Sequence, residues 1–426
     1  MKQIFQNYLL ILISISIVFS YENAFTHSST GKINLQHLPE FTDVNGGYSR
    51  LATIGQGHIT EAGMPELPQF TTYYQLDPEK TYDFQLEVLD SYTIEDITIL
   101  PHQGMEKWEV DAVSIINEEV YNSYAAFPQQ NMVLSERIQG RGIEFISIQV
   151  IPYKYYPKYK KLEVFTDVDI HVIETGDNPN SQLTQPKRSR IFDEYYKDLI
   201  VNFTYSDRPD DYQASAILYI AGGNWLNNSY VQDLIEWRHK QGYIVYTYST
   251  PTSDENTIKS YIKNAYETWE NPPEIVGLIG DTDVIDCFHL SWGGWYGYNG
   301  ATDFNYTQLD GNDLISEIFI GRISGRNNDD MNNIVNKTIQ YEKAIYVSDE
   351  WFTKAALVSD PDPSGNSTIF TGQYIENIMI NHGMTGVETN YNGSNKTKYR
   401  DEVSHNCIPD IKPIFYEFFL SRFDAR

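Results

Sequence analysis

Two kinds of hydrophobic patterning divide this chain. From residue 26 to about 175, apolar and polar positions alternate in short runs, as in Tyr82-Asp83-Phe84-Gln85-Leu86-Glu87-Val88, Gly142 to Val150 (GIEFISIQV) and Lys161-Leu162-Glu163-Val164-Phe165. A period of two puts apolar side chains on one face, which is what a half-buried strand needs. Asn45-Gly46-Gly47, Leu76-Asp77-Pro78 and Tyr156-Pro157 supply turns between the runs. Many short strands with such punctuation predict a β-sandwich. Ala62 to Pro68 (AGMPELP) is expected in a loop or at an edge, because its two prolines withdraw ladder donors.

After Ala214 the pattern changes to α/β. Ala216 to Ala221 (AILYIA) reads as a buried strand, Ser229 to Gln241 as an amphipathic helix closed by Gly242, and Tyr243 to Tyr248 as a second strand. Helices are predicted over Thr257 to Thr268 and Asp329 to Lys343, with strands over Glu274 to Ile279 and Glu317 to Ile320. The order then restarts: Lys354 to Ser359 (KAALVS) as strand, Ser367 to His382 as helix followed by Gly383, and Gly386 to Tyr391 as strand. The repeat has four strands in its first round and two in its second. We therefore expect a β-sandwich over 26–175, a connector over 176–190, a first α/β half over 191–345 and an incomplete second half over 351–426.

Composition narrows the function. The formal net charge of −27 argues against nucleic acid as a partner. Tyr and Phe, at 33 and 20, are too many for a disordered acidic chain. The only cysteines, Cys287 and Cys407, make neither a disulfide framework nor a cysteine-based zinc site. Near the start, Lys2 precedes the apolar run Tyr8 to Phe19, which is shorter than a bilayer span. Residues 1–20 read as an export signal cleaved after Ser20; a buried strand or uncleaved anchor is the other reading. No later segment reaches ~18 consecutive apolar residues, so a secreted protein with no membrane span after signal removal is expected. The connector ends in Lys187, Arg188 and Arg190, and reads either as an ordinary solvated link or as a processing site.

Thr302 to Tyr306 (TDFNY), Leu309 to Asp313 (LDGND) and Glu317 to Arg322 (EIFIGR), with the helix of Val335 to Lys343 (VNKTIQYEK), resemble the gingipain family of secreted cysteine peptidases. The N-terminal β region resembles the propeptide of that family. The resemblance implies a propeptide followed by two caspase-like α/β halves, with chemistry in the second. There a thiolate attacks the scissile carbonyl of a protein or peptide substrate, a His in a His-Gly turn shuttles the proton, and an acid orients the His.

Asp362 occupies the loop of that acid, with Asp360 beside it; a plain turn in Asp360-Pro361-Asp362-Pro363 explains it equally well. The His and Cys segments have no counterpart. His382-Gly383 falls at a predicted helix C-terminus, where Gly caps and His suits the dipole. Cys407 has His405 two residues away, whereas a dyad needs groups on different elements. Cys287 is expected in the core. Ile408 to Arg426 carries Asp410, Glu417 and Asp424 against Lys412, Arg422 and Arg426, a neutral tail in an acidic chain. It reads as a frameshift, a premature stop or a true terminal element.

The chemistry needs no cofactor. The resemblance allows a structural calcium, for which the acidic loops at Asp281, Asp283, Asp303, Asp310 and Asp313 offer hard oxygen ligands. Asn202, Asn305, Asn336 and Asn366 each begin an N-x-Ser/Thr sequence. Two functions compete: a cysteine endopeptidase precursor, truncated and inactive as given, and a non-enzymatic exported binding or inhibitory module built from the propeptide-like region.

Overall fold

The computed structural model describes residues 24–28, 31–44, 46–52, 57–104, 115–179, 188–205, 208–291, 299–311, 313–345, 350–358 and 367–390. The expected leader, Lys187, Asp360, Asp362, His405, Cys407 and the terminal tail lie outside the described residues. The chain forms two units. The first comprises Met1–Ile138, Ile143–Gln182 and Tyr195–Thr204, and the second Gln139–Gly142, Leu183–Glu194 and Tyr205–Arg426.

The first unit is the expected β-sandwich. Its strands are β1 (Phe25–His27), β2 (Lys32–Gln36), β3 (Glu40–Val44), β4 (Tyr48–Ala52), β5 (Gly57–His58), β6 (Pro68–Leu76), β7 (Lys80–Ile94), β8 (Met132–Leu134), the first residue of β9 (Ile138–Gly140), β10 (Ile143–Val150), β11 (Tyr153–Tyr156) and β12 (Lys161–Asp177). One sheet runs β1-β2-β12-β11 with β7 also on β12; the other runs β5-β6-β10-β8 with β9 also on β10. Ile33, Leu35, Val168 and Ile170 of the first sheet pack on Phe70, Leu76, Ile146, Ile148 and Val150 of the second. Alternation thus delivers one apolar face from each sheet to a shared core. Pro68 opens β6, where a missing donor costs the ladder little, and residues 61–64 form the turn before it. Asn202 lies beside β6: its amide oxygen accepts from the Gln75 N–H at 2.7 Å and its nitrogen donates back to the Gln75 carbonyl at 3.0 Å.

The second unit is built on a parallel sheet. Its strands are β13 (Ala216–Ala221), β14 (Ile244–Ser249), β15 (Ile275–Ile279) and β18 (Phe319–Ile323), in the order β14-β13-β15-β18; β16 (Phe288–Ser291) and β17 (Asn299–Thr302) form a separate hairpin. All six residues of β13 are buried, as a central parallel strand covered on both faces requires. Helix α1 (Arg190–Leu199) precedes the sheet. One face of the sheet packs on α2 (Ser229–Lys240) and α4 (Asn328–Glu342) through Ile217, Tyr219, Val231, Leu234, Met331 and Val335. The other packs on α3 (Glu255–Thr268) through Leu218, Ile220, Ile258, Ile262, Tyr266 and Leu278. Each of these three helices starts on a side chain that caps free N–H groups: Asn228, Asp254 and Asn327. The restarted pattern appears as β19 (Lys354–Val358), α5 (Ser367–Asn381) and β20 (Gly386–Asn390), the two strands paired in parallel.

Within the expected connector, β12 continues to Asp177 and α1 begins at Arg190. Arg188 is not simply solvated. It pairs with Asp193 at 2.9 Å, and Ser189 is buried. Arg190 stacks its guanidinium over Tyr212 at 4.1 Å from the ring centroid.

Candidate functional site

In the parallel sheet, β14 lies on one side of β13 and β15 on the other. Chain direction therefore switches between β13 and β15, and the crevice outside their carboxyl ends is where open α/β sheets place ligands and chemistry. Gly222 and Gly280 follow the last residues of these strands. A Cβ on Gly222 would come within 2.6 Å of the Val284 carbonyl oxygen, and Gly280 has φ +126° with Val284 against it. Both positions need glycine so that the loop from Asp281 to Cys287 can lie on the sheet edge.

Arg322, near the carboxyl end of β18, fixes that edge. Its Nε and Nη2 donate to the two carboxylate oxygens of Asp303 at 2.8 and 2.7 Å. Nη1 donates to the carbonyls of Ile285 at 2.7 Å and Gly280 at 3.2 Å, and Nη2 reaches the Asp286 carbonyl at 3.2 Å. Burial opposes the charge on Arg322, but the bonds and opposite charge of Asp303 outweigh it and leave the pKa raised. A planar fork with five donors suits this task, and an ammonium would not.

Glu317 does the corresponding work just before the amino end of the same strand. It is fully buried, and its Oε2 accepts the N–H groups of Leu309 at 2.7 Å and Asp310 at 3.2 Å. Asp310 in turn accepts from the Tyr266 hydroxyl at 2.7 Å. The Glu and Arg of the EIFIGR stretch thus hold the 309–311 turn and the carboxyl edge from the two ends of β18. Neither role was read from the sequence, where only the resemblance marked these residues.

At this edge Asp286, Cys287 and His289 bring a carboxylate, a thiol and an imidazole within 4.8 Å of one another. The sequence drew attention to Cys287 alone. Its thiol is buried, and burial raises its pKa, with the Asp303 carboxylate adding to the rise and Arg322 opposing it. A nucleophilic thiol needs the reverse. Cys287 therefore fits the expected core role and not an attacking one.

The structure places His382 just past α5. The N–H groups of Gly383 and Met384 bond the carbonyls of Ile380 and Met379 at 3.0 and 3.1 Å, and Gly383 has φ +94°. This is a left-handed helix cap, as the pattern predicted. Four of the five acids weighed as calcium ligands are engaged by other partners. Asp303 serves Arg322, Asp281 pairs with Arg326, Asp310 takes Tyr266, and Asp313 accepts the Ile315 N–H at 2.8 Å. None belongs to a group of three ligating side chains among the described residues. Of the N-x-Ser/Thr asparagines, Asn202 is committed to Gln75 and Asn305 has a buried amide oxygen, while Asn336 is exposed.

The family described as Propeptide_C25 matches residues 22–208, and Peptidase family C25 matches residues 210–412. Gingipain R2 of Porphyromonas gingivalis is 26% identical over 369 residues, covering 82% of this chain and 48% of its own length. Gingipain R1 of the same organism is 25% identical over 367 residues, covering 82% of this chain and 36% of its own. Lys-gingipain, also from Porphyromonas gingivalis, is 24% identical over 387 residues, covering 83% of this chain and 21% of its own. The chain spans about half the length, or less, of these curated relatives. Among solved structures, the complex of RgpB pro- and mature domains of Porphyromonas gingivalis aligns with a TM-score of 0.35 at 22% identity, over 42% of this chain and 95% of that one. The crystal structure of the Arg-specific cysteine proteinase gingipain R aligns with a TM-score of 0.37 at 23% identity, over 47% and 46%.

Proposed function

The chain belongs to the gingipain-type cysteine peptidase family, and on that premise we propose that it is an exported endopeptidase precursor whose first unit is the propeptide of the second. The observation that carries this reading is the order of the two family matches. Propeptide then peptidase meet between residues 208 and 210; the first compact unit lies wholly before that junction, and the second holds everything after it together with Gln139–Gly142 and Leu183–Glu194. The apolar run of Tyr8 to Phe19 supports export, and no helix among the described residues is long and apolar enough to cross a membrane. Protein or peptide substrates follow from the family.

We further propose that the chain by itself does not hydrolyse peptide bonds. Only two thiols exist, and the environment of Cys287 disfavours its thiolate. Labelling with iodoacetamide at pH 6, read by mass spectrometry beside a casein assay, tests this. Slow labelling of both cysteines and no hydrolysis are expected. Rapid labelling of Cys407 that abolishes casein hydrolysis would overturn the proposal of inactivity and leave the precursor reading intact.

A further inference from the structure

His58, Glu66 and His102 converge in the first unit. They come from three neighbouring antiparallel segments. His58 ends β5 opposite Pro68, the Ile59 N–H bonds the Leu67 carbonyl at 2.9 Å, the Glu66 N–H bonds Leu100 at 2.9 Å, and the His102 N–H bonds Met64 at 2.8 Å. Backbone pairing therefore fixes all three Cα positions before any side chain is placed. Each residue offers one ligating atom, and the three atoms lie within 4.8 Å of one another. The two imidazole centroids are 5.3 Å apart.

The arrangement is poorly explained as a polar network complete in itself. His102 is only 9% exposed, and its Nδ1 is buried without a hydrogen-bond partner. That atom points at Glu66 Oε2 from 3.5 Å, too far for a good hydrogen bond. Two ligands sharing a tetrahedral zinc, with bonds of about 2.0–2.2 Å, stand roughly 3.3–3.5 Å apart. The other carboxylate oxygen of Glu66, Oε1, forms an ion pair with Arg50 Nε at 2.9 Å without hydrogen-bond alignment, which leaves Oε2 to face the imidazoles. An outer partner of this kind orients a metal-binding carboxylate.

We propose that His58, Glu66 and His102 form a zinc site in the propeptide unit, with a fourth position open to water or another donor. Two imidazoles and one carboxylate suit Zn²⁺ among common divalent ions, whereas Ca²⁺ and Mg²⁺ call for all-oxygen sets. The site ties the His58 strand to the segments of Glu66 and His102. It would hold this corner of the sandwich by the metal's binding free energy.

The test uses the full chain, stripped with chelator and titrated with ZnCl₂ and, separately, CoCl₂. One zinc per chain retained through gel filtration, a raised Tm and the intense visible absorption of four-coordinate Co²⁺ are expected. MgCl₂ and CaCl₂ should not reproduce the Tm rise. His58→Ala, Glu66→Gln and His102→Ala should each weaken zinc binding at least ~100-fold, and Arg50→Met about 10-fold. Far-UV circular dichroism of each variant separates lost metal from lost fold. His58→Ala, on a two-residue strand, guards against a His102 variant that fails to fold. No retained zinc in the unmodified chain, or an unchanged Co²⁺ spectrum in folded His58→Ala, would overturn the site.

Discussion

Glu317 combines complete burial with two N–H donors on one oxygen and none on the other. Burial pushes its pKa up to about 8; the Leu309 and Asp310 N–H groups resist, and the carboxylates of Asp310 and Asp313 add to the rise. The folded state then holds a proton that the unfolded chain releases near the ordinary value of 4.5. The sign follows from linkage: the contribution is fully present below about pH 4.5 and is lost as pH rises through about 8. Stability should fall by up to about 1.4 kcal/mol per pH unit across that window. Glu317→Gln should flatten the slope, as read by urea unfolding at a series of pH values; an unchanged slope would show that the carboxyl is ionised in the fold. Arg322 has the opposite character, a charge kept because its partners are complete. Arg322→Met should cost about 3 kcal/mol by stranding Asp303 and three carbonyls, and Asp303→Asn in the same chain should recover part of it. If the double variant is no more stable than Arg322→Met, the pair is not the unit assumed here.

Elements differ in how well they are enclosed. The central strand β13 is buried along its whole length, whereas β19 buries only Leu357 and, among the described residues, pairs only with β20. Hydrogen exchange should therefore protect Ile217 to Ile220 far more than Ala355 to Val358. Equal protection would mean that β19 is enclosed as fully as β13. At the end of α4, Ala344 sits at φ 54° in the same left-handed cap that Gly242 and Gly383 fill. Ala344→Gly should add about 1 kcal/mol of stability, measurable as a higher urea midpoint. The helices and parallel strands were legible because periodicity and capping are local. Predicted and observed boundaries of α2, β13, α4 and α5 agree within a residue or so. Helix α1 was missed: Arg190 was placed at the end of the connector and the rest in the first α/β half with no element assigned, since a polar, basic approach hid its start. Sites assembled over distance were not legible. His58, Glu66 and His102 have no regular spacing, and Glu317 and Arg322 gain their roles only when the loops at 280–286 and 303–310 come to them.

For the whole molecule, the passage between units crosses a basic cluster whose members are unequal. Arg188 is engaged by Asp193, and Ser189, the residue after its peptide bond, is 1% exposed. Limited trypsin digestion should therefore cut first after Lys187 and only later after Arg188, as intact-mass analysis would show. A first cut at Arg188–Ser189, or inside 216–345, would contradict the packing described. The acceptors gathered by Arg322 also bear on how the chain is made. Gly280, Ile285, Asp286 and Asp303 all precede it, by as many as 42 positions. During synthesis β13, β14 and β15 can emerge and pair while three carbonyls and a carboxylate at their carboxyl ends still face water. Only when residue 322 leaves the ribosome can one side chain close them together. The crevice is thus among the last parts of the first α/β half to take shape, and a nascent chain halted before that residue would carry a formed sheet with an unset rim.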